Sequence, residues 1–235
     1  MENNFFSLLG QALVHCIQGI PLTLALTISS VLAGLLLAVP LAVLRAPRKT
    51  PVARAIGFFT YFFTGTPLLI QMYLFYKGMP EFEWVQNLMK QDGWSFLKGG
   101  FFWAWLAFTL NTAAYSTEIF SGSIRNTPSG DIEAAAAYGL SRKQIMARII
   151  LPSSLRRALP AYSNEVIMML QSTALASTVT LFEVTCKALD FNTHFYQPFP
   201  AFIAAAMIYL ALTSILVFGF RRAERRYLAH LTIAH

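Results

Sequence analysis

Charge is what this 235-residue sequence has least of. Asp, Glu, Lys and Arg make up 12% of it, about half the share of an ordinary soluble domain. Hydrophobic residues make up 56%, and mean hydropathy is +0.52. A chain so short of charge cannot cover a water-facing surface, so it reads as an integral membrane protein. Cysteine is nearly absent too. Cys16 and Cys186 belong to no CxxC or Cys/His cluster, and no metal site is indicated. Both fall on the expected outer side, where a disulfide is chemically permitted. The four histidines, His15, His194, His230 and His235, are scattered. No histidine or aspartate lies within an apolar run, which removes the usual catalytic pairs of an intramembrane enzyme. No GxxxxGK[ST] phosphate loop occurs, so the chain does not hydrolyse ATP itself. The start, "MENNFFSLLGQALVHC", has no Lys or Arg ahead of its apolar residues. Without the basic flank of a cleaved signal, residues 1–19 read as a short interfacial helix on the outer side.

What the sequence does have is apolar runs, at 20–44, 55–76, 101–121, 161–181 and 199–220. Crossing the hydrocarbon takes about 20 such residues, and the backbone must then be helical because no water is there to bond it. The expectation is an all-α membrane protein with five transmembrane helices. The cations orient it. Arg45, Arg48, Lys49 and Arg54 follow the first span, and Arg125, Arg142, Lys143, Arg148, Arg156 and Arg157 lie between the third and fourth. Arg221, Arg222, Arg225 and Arg226 follow the fifth, while the other side keeps Lys77, Lys90, Lys98 and Lys187. Basic connections stay in the cytoplasm, which puts the N-terminus in the periplasm and the C-terminus inside. The net charge of +7 is therefore an orientation signal and not a nucleic-acid footprint. One domain, 20–222, is expected, followed by a cytoplasmic tail, 223–235. The outer connection 78–100 should hold a short helix. Trp84, Trp94, Trp103 and Trp105 fit the headgroup boundary.

Three spans carry polar residues at helical spacing. The second has Thr60, Thr64, Pro67 and Gln71, and the third Asn111, Tyr115, Glu118, Gly122 and Arg125. The fourth has Asn164, Gln171 and Thr178, with Glu165 and Ser172 alongside. Such rows occupy one face of a helix. They should turn toward the bundle interior or a wet cavity, since lipid would make them costly. The plainer role, gluing helices together, suffices for the serines and threonines. Glu118 has an expected structural partner in Arg125, two turns along the same face. Glu165 has no basic residue three or four positions away. It is open to a cationic ligand, or to Arg156 or Arg157 folding back. "TGTP", Thr64 to Pro67, should kink the second span, which serves packing or exposes groups at Thr66 to a ligand.

The longest inner connection, 131–152, reads "DIEAAAAYGLSRKQIMARIILP". Asp131 is placed to cap a helix, Gly139 to end it in a left-handed turn. Ser141 is placed to cap a second helix and Pro152 to stop it. The exposed alanines would let another protein approach closely, and a bulky charge at Ala135 should disturb that docking.

At these residues the chain resembles a known family. Glu133, Ala134, Ala135 and Gly139, then a spacer of nine, then Ile149, Leu151 and Pro152 match the EAA signature of ATP-binding-cassette importer permeases. "TGTPLLIQMYLFY", "FTLNTAAYSTEIFSGSIRNTP" and "ALPAYSNEVIMMLQSTALAST" look like the polar amino acid permeases. They look most like the subgroup importing arginine, ornithine, lysine, histidine or opines, and the likeness covers about residues 18–228. Many relatives carry Lys-Asp-Thr-Ser-Leu where this chain has Gln171, Ser172, Thr173, Ala174 and Leu175, a departure shared by the basic and opine subgroup. The resemblance implies a type I importer permease fold in the bacterial inner membrane and a coupling helix within 131–152. It also implies partners: an ATPase dimer holding ATP and magnesium, a second permease that is homologous or identical, and a periplasmic binding protein. No cofactor is expected in this chain. Uptake of a basic amino acid by alternating access is the reading, with Glu165, Ser172, Gln171, Asn164, Thr66 and Asn111 as candidate substrate contacts. An opine or another polar amino acid is the neighbouring alternative. A passive channel or structural subunit would explain the stripes but not the EAA segment.

Overall fold

The computed structural model describes residues 5–47 and 49–228. Arg48, residues 1–4 of the expected interfacial helix, and the tail beyond 228 with His230 and His235 lie outside the described residues. α1 (Phe5–Ile17) gives way at Gly19 to α2 (Ile20–Arg45), with Pro21 in its first turn, where a missing N–H is no loss. α3 (Pro51–Gly65) begins behind Thr50, whose hydroxyl accepts from Ala53 N. α4 (Leu68–Tyr73) follows and passes into a π turn at Leu74–Gly78. The connection at 78–100 holds α5 (Glu83–Met89), as expected, and a 3-10 stretch, Asp92–Lys98. Then come α6 (Gly100–Arg125), α7 (Ser129–Ala137), α8 (Arg142–Ile145) and α9 (Leu151–Ser172). α9 tightens to 3-10 over Thr173–Val179 before α10 (Val184–Phe195) and α11 (Pro198–Leu228).

Two of these helices, Ile20–Arg45 and Pro198–Tyr227, are long and apolar enough to cross a membrane. Two bent pairs bring the number to four if each counts as one span: Pro51–Gly65 with Leu68–Glu81, bent by 103°, and Arg142–Val179 with Val184–Phe195, bent by 46°. α6 has the length, 26 residues, yet lies outside this set, and its sequence shows why it need not be apolar. It packs against α2, α3, α4 and α9 and is the most enclosed helix of the chain. A helix surrounded by other helices does not have to satisfy lipid.

Small residues let these helices close up. A Cβ on Gly34 of α2 would run into Thr112 Cγ2 of α6 and sit 3.3 Å from Thr109 O. Along the same interface Ala38 and Ala42 of α2 reach Phe120 and Ile124. A second group of buried residues joins α1, α10 and α11 through Leu8, Ala12, Phe191, Ala201 and Ala204. At the 46° bend, Glu183 caps α10, accepting from Thr185 N at 2.8 Å and Cys186 N at 2.7 Å, while Tyr209 OH donates to it at 2.7 Å. Glu183 is fully buried, and no spacing in the sequence singled it out. Cys16 and Cys186 are both free thiols. Trp103 is buried within the protein, with Nε1 donating to Leu97 O at 2.8 Å.

The hairpin at 131–152 differs from expectation in two places. α7 begins at Ser129 behind Pro128, so Asp131 sits in the first turn instead of capping it, where its charge still suits the helix dipole. Gly139 is left-handed, with φ of 79°, and Ser141 forms a capping box with Gln144, both as the sequence suggests. Pro152, however, stops nothing. A π turn at Met146–Ile150 widens the helix, and Pro152 falls in the first turn of α9, where its missing N–H is tolerated. One helical rod therefore runs from Arg142 to Val179.

Glycine at the bend can be tested directly. A methyl on Gly19 would lie 2.5 Å from Glu183 C and Val184 N, whereas one on Gly10 meets nothing within 4 Å. Gly19→Ala should cost about 1–3 kcal/mol of overpacking and lower the thermal midpoint by several degrees, with Gly10→Ala close to the parent; melting of the two purified variants checks it.

Candidate functional site

A helix that breaks inside a membrane leaves carbonyls without donors. That happens between α3 and α4: α3 ends at Gly65, Thr66 is extended with ψ of 145°, and Pro67 has no N–H to offer. Side chains of the polar stripes supply the donors. Gln71 Nε2 reaches Phe63 O at 2.8 Å and Thr66 O at 2.9 Å. Asn111 Nδ2 donates to the same Phe63 O at 3.0 Å and to Gln71 Oε1 at 3.1 Å. Tyr115 OH donates to Thr64 O at 3.2 Å. The stripe on α6 is thus a brace for the bend, and the kink expected from "TGTP" is a full break.

The bend forms one wall of a cavity of about 360 Å³. Thr64 to Leu68 line one side, Asn111 and Tyr115 the back, and Glu165, Met168, Met169 and Ser172 of α9 the other side. Four candidate contacts therefore converge: Thr66, Asn111, Glu165 and Ser172. Glu165 is 6% exposed, and no described residue forms an ion pair with it. Thr112 faces its carboxylate from α6. Neither arginine folds back to it. Arg157 donates to Ser123 O at 3.1 Å, Thr127 Oγ1 at 2.9 Å and Ser154 Oγ at 3.2 Å, and also to Ser153 Oγ, while Arg156 is exposed. A buried carboxylate on a cavity wall, with methionines beside it and no ion pair to a described residue, is suited to a cationic guest.

Other candidates stand elsewhere. Gln171 is exposed and does not line this cavity, and Asn164 lines a groove of about 340 Å³ between α9 and α11 with Ser163, Arg221 and Glu224. The row Asn164, Gln171 and Thr178 lies on the outer surface of the chain, because α9 carries two polar faces and only the Glu165 face turns inward. The cation on Glu118 is Arg45, with Nε 3.1 Å from Oε1, and Thr60 Oγ1 donates to the same oxygen at 2.6 Å. Arg125, two turns along α6, donates to Ser121 Oγ at 3.2 Å. The last residue of α2 reaches Glu118 from across the interface, a pairing 73 positions apart that helical spacing cannot reveal.

In the hairpin, Glu133, Ala134 and Gly139 are exposed, as are Ala136, Ala137 and Tyr138. Ala135 turns inward and is 5% exposed, in a cluster with Ala38, Phe120, Ile145 and Ile150. Ile149 and Leu151 pack against that cluster, and Pro152 is half-buried.

Residues 30–228 match the protein family described as the binding-protein-dependent transport system inner membrane component. The chain belongs to that family. It is 51% identical over 214 residues to the histidine/lysine/arginine/ornithine transport system permease protein HisM of Salmonella typhimurium (strain LT2), covering 91% of this chain and 90% of that one. It is 40% identical over 207 residues to the octopine transport system permease protein OccM of Rhizobium meliloti, covering 88% and 83%. Among solved structures, an amino acid ABC transporter crystallised with histidines superposes with a TM-score of 0.80 at 28% identity, over 96% of this chain and all of that one. The inward-facing MetNI methionine transporter superposes with a TM-score of 0.73 at 17% identity, over 90% and 95%, which speaks to fold alone. The type I importer permease fold is thus the fold of this chain.

The brace makes a sharp prediction. Gln71→Leu leaves Thr66 O without its side-chain donor and Asn111 Nδ2 without its Gln71 Oε1 acceptor, while Phe63 O keeps Asn111; each polar group left unmade in a buried site costs about 1–3 kcal/mol. The substitution should lower the thermal midpoint clearly. Gln86→Leu loses one exposed bond to Pro80 O and should stay within about 0.5 kcal/mol of the parent.

Proposed function

We propose that this chain is the permease subunit of an ATP-driven importer that carries a basic amino acid of the arginine, ornithine, histidine and lysine class from the periplasm to the cytoplasm. The observation that carries the substrate class is Glu165: a buried carboxylate on the wall of a cavity between the helices, with no ion pair to any described residue. The relatives named for histidine, lysine, arginine and ornithine support the same class. An opine is the second reading, favoured by the relative named for octopine. Thr66, Asn111 and Ser172 would share the ligand with Glu165, Asn111 also holding the wall in shape. Asn164 and Gln171, exposed on α9, would face a second permease chain, since a polar row in a span is costly against lipid.

The reading places five crossings in the bacterial inner membrane: α2, the bent α3–α4 pair, the enclosed α6, the α9–α10 pair and α11. The basic connections then lie in the cytoplasm, and the 131–152 hairpin faces the ATPase dimer, which holds ATP and magnesium. Glu133, Ala134, Ala137 and Gly139 present the docking surface, while Ala135, Ile149, Leu151 and Pro152 tie that surface to the transmembrane helices. Closing of the ATPase pair on ATP shifts the permease between inward- and outward-facing states, which requires ATP to favour one over the other. A periplasmic binding protein delivers the substrate.

Two experiments check this reading. In the intact complex, Glu165→Gln should lower arginine, ornithine and histidine uptake by about tenfold or more, the scale of one charge-assisted hydrogen bond; unchanged rates for all three would remove Glu165 from the site. Ala134→Glu, at the exposed position, should abolish substrate-stimulated ATPase activity while the permease melts normally. Ala135→Glu should instead lower the melting midpoint, because it buries a charge in an alanine-sized space.

A further inference from the structure

From the geometry of the inner half of the bundle we infer a second ligand station: Glu118 receives the cationic head of the substrate after it leaves Glu165, and Arg45 is the resident guanidinium that holds the station when substrate is absent. This rests on the basic-substrate reading above. The polar wall of the cavity does not stop at its floor. Tyr115 and Thr64, tied through Tyr115 OH and Thr64 O, line the cavity; one turn further along both helices the same two faces meet again through Glu118 and Thr60. Asn111 and Glu118 are seven residues apart on α6 and share a face, which puts the second carboxylate about 10 Å from the first wall.

Three features separate Glu118 from an ordinary structural pair. It is not sealed: its side chain keeps 35% of its exposure, and that of Arg45 keeps 21%. Its occupant already has the chemistry of the proposed cargo, a guanidinium held through Nε to one carboxylate oxygen. And the occupant's place depends on a glycine, because its head lies against Gly57, where a methyl would come within 3.1 Å of the guanidinium. A half-exposed pair of this kind is worth up to about 1 kcal/mol, so a second guanidinium or ammonium can compete for it. A cargo arriving from Glu165 displaces Arg45, and the return of Arg45 releases the cargo to the cytoplasm. Exchange at a carboxylate lets a cation travel through a low-dielectric path without being left bare.

The test uses the whole complex in proteoliposomes, with ATP and the ATPase on the lumenal side, and measures how lumenal arginine slows uptake of labelled arginine. Lumenal citrulline, of nearly the same shape but neutral, is the control. Arginine should slow the wild type, and citrulline should not. Glu118→Gln should raise the half-inhibiting arginine concentration by roughly fivefold, and Arg45→Gln, which vacates the carboxylate, should lower it by a similar factor, the scale of one half-exposed charge pair. A purely structural pair is broken by either substitution, so both variants would then shift the same way or not at all, and that result overturns the station. Inhibition by citrulline equal to that by arginine overturns it too. Should either variant fail to assemble, Glu118→Asp and Arg45→Lys carry the same opposed expectations with both charges kept. Inhibition that persists in Glu118→Gln but vanishes in Glu165→Gln sinks the station alone. A wild-type complex that takes up no arginine, ornithine or histidine instead sinks the basic-substrate reading, and the station with it.

Discussion

Carbonyl oxygens released where α3 breaks are the constraint on which the middle of this molecule turns. At membrane depth such oxygens must be bonded by the protein or by water in a cavity, and here the chain brings donors of its own. Gln71 and Asn111 converge on one of these oxygens, Phe63 O, and Tyr115 takes another, Thr64 O. Those bonds fix three elements relative to one another: the broken second span, the enclosed α6, and through α6 the face of α9 that bears Glu165. The cavity is the space left between a bend that cannot straighten and a helix that cannot back away.

This changes the meaning of the polar stripes. Read as a pattern, Thr60, Thr64 and Gln71 opposite Asn111, Tyr115 and Glu118 could be glue or ligand contacts. In the structure most of them are bonded to backbone or to each other, and Glu165 is the carboxylate on the cavity wall without a protein cation. Chemistry and scaffolding thus come from the same rows.

Much of this was legible in sequence because helical spacing and hydrocarbon thickness are strong constraints. The apolar runs, a bend at Thr64–Pro67, the left-handed Gly139 and the Ser141 cap follow from local chemistry, and so does the lack of a basic residue within one turn of Glu165, although Arg156 and Arg157 stayed open as partners until the structure placed them elsewhere. What escaped depends on distance along the chain. Arg45 and Glu118 are 73 positions apart, and Glu183 is held by Tyr209 from a different helix. Pro152 misled for another reason: proline is a stop in a hairpin but harmless in the first turn of a helix, and a π turn decides which case holds. The outward turn of Asn164 and Gln171 reflects two polar faces on one helix, where period alone does not say which faces the bundle. Ala135 shows the same gap at smaller scale, since a run of alanines does not declare which one is inside.

The unbroken rod from Arg142 to Val179 has a consequence for how such a chain can vary. Glu165 and Ser172 are aimed by the same helix that leaves the hairpin, with no loop between to absorb a change of length. Each residue added or deleted between Leu151 and Glu165 would swing the carboxylate by about 100° around the axis, out of the cavity and toward the outer surface. Substitutions along this stretch are therefore graded, whereas indels are all-or-none. Length drift should collect in the segment 79–99, where no functional side chain is set by counting residues from a fixed end.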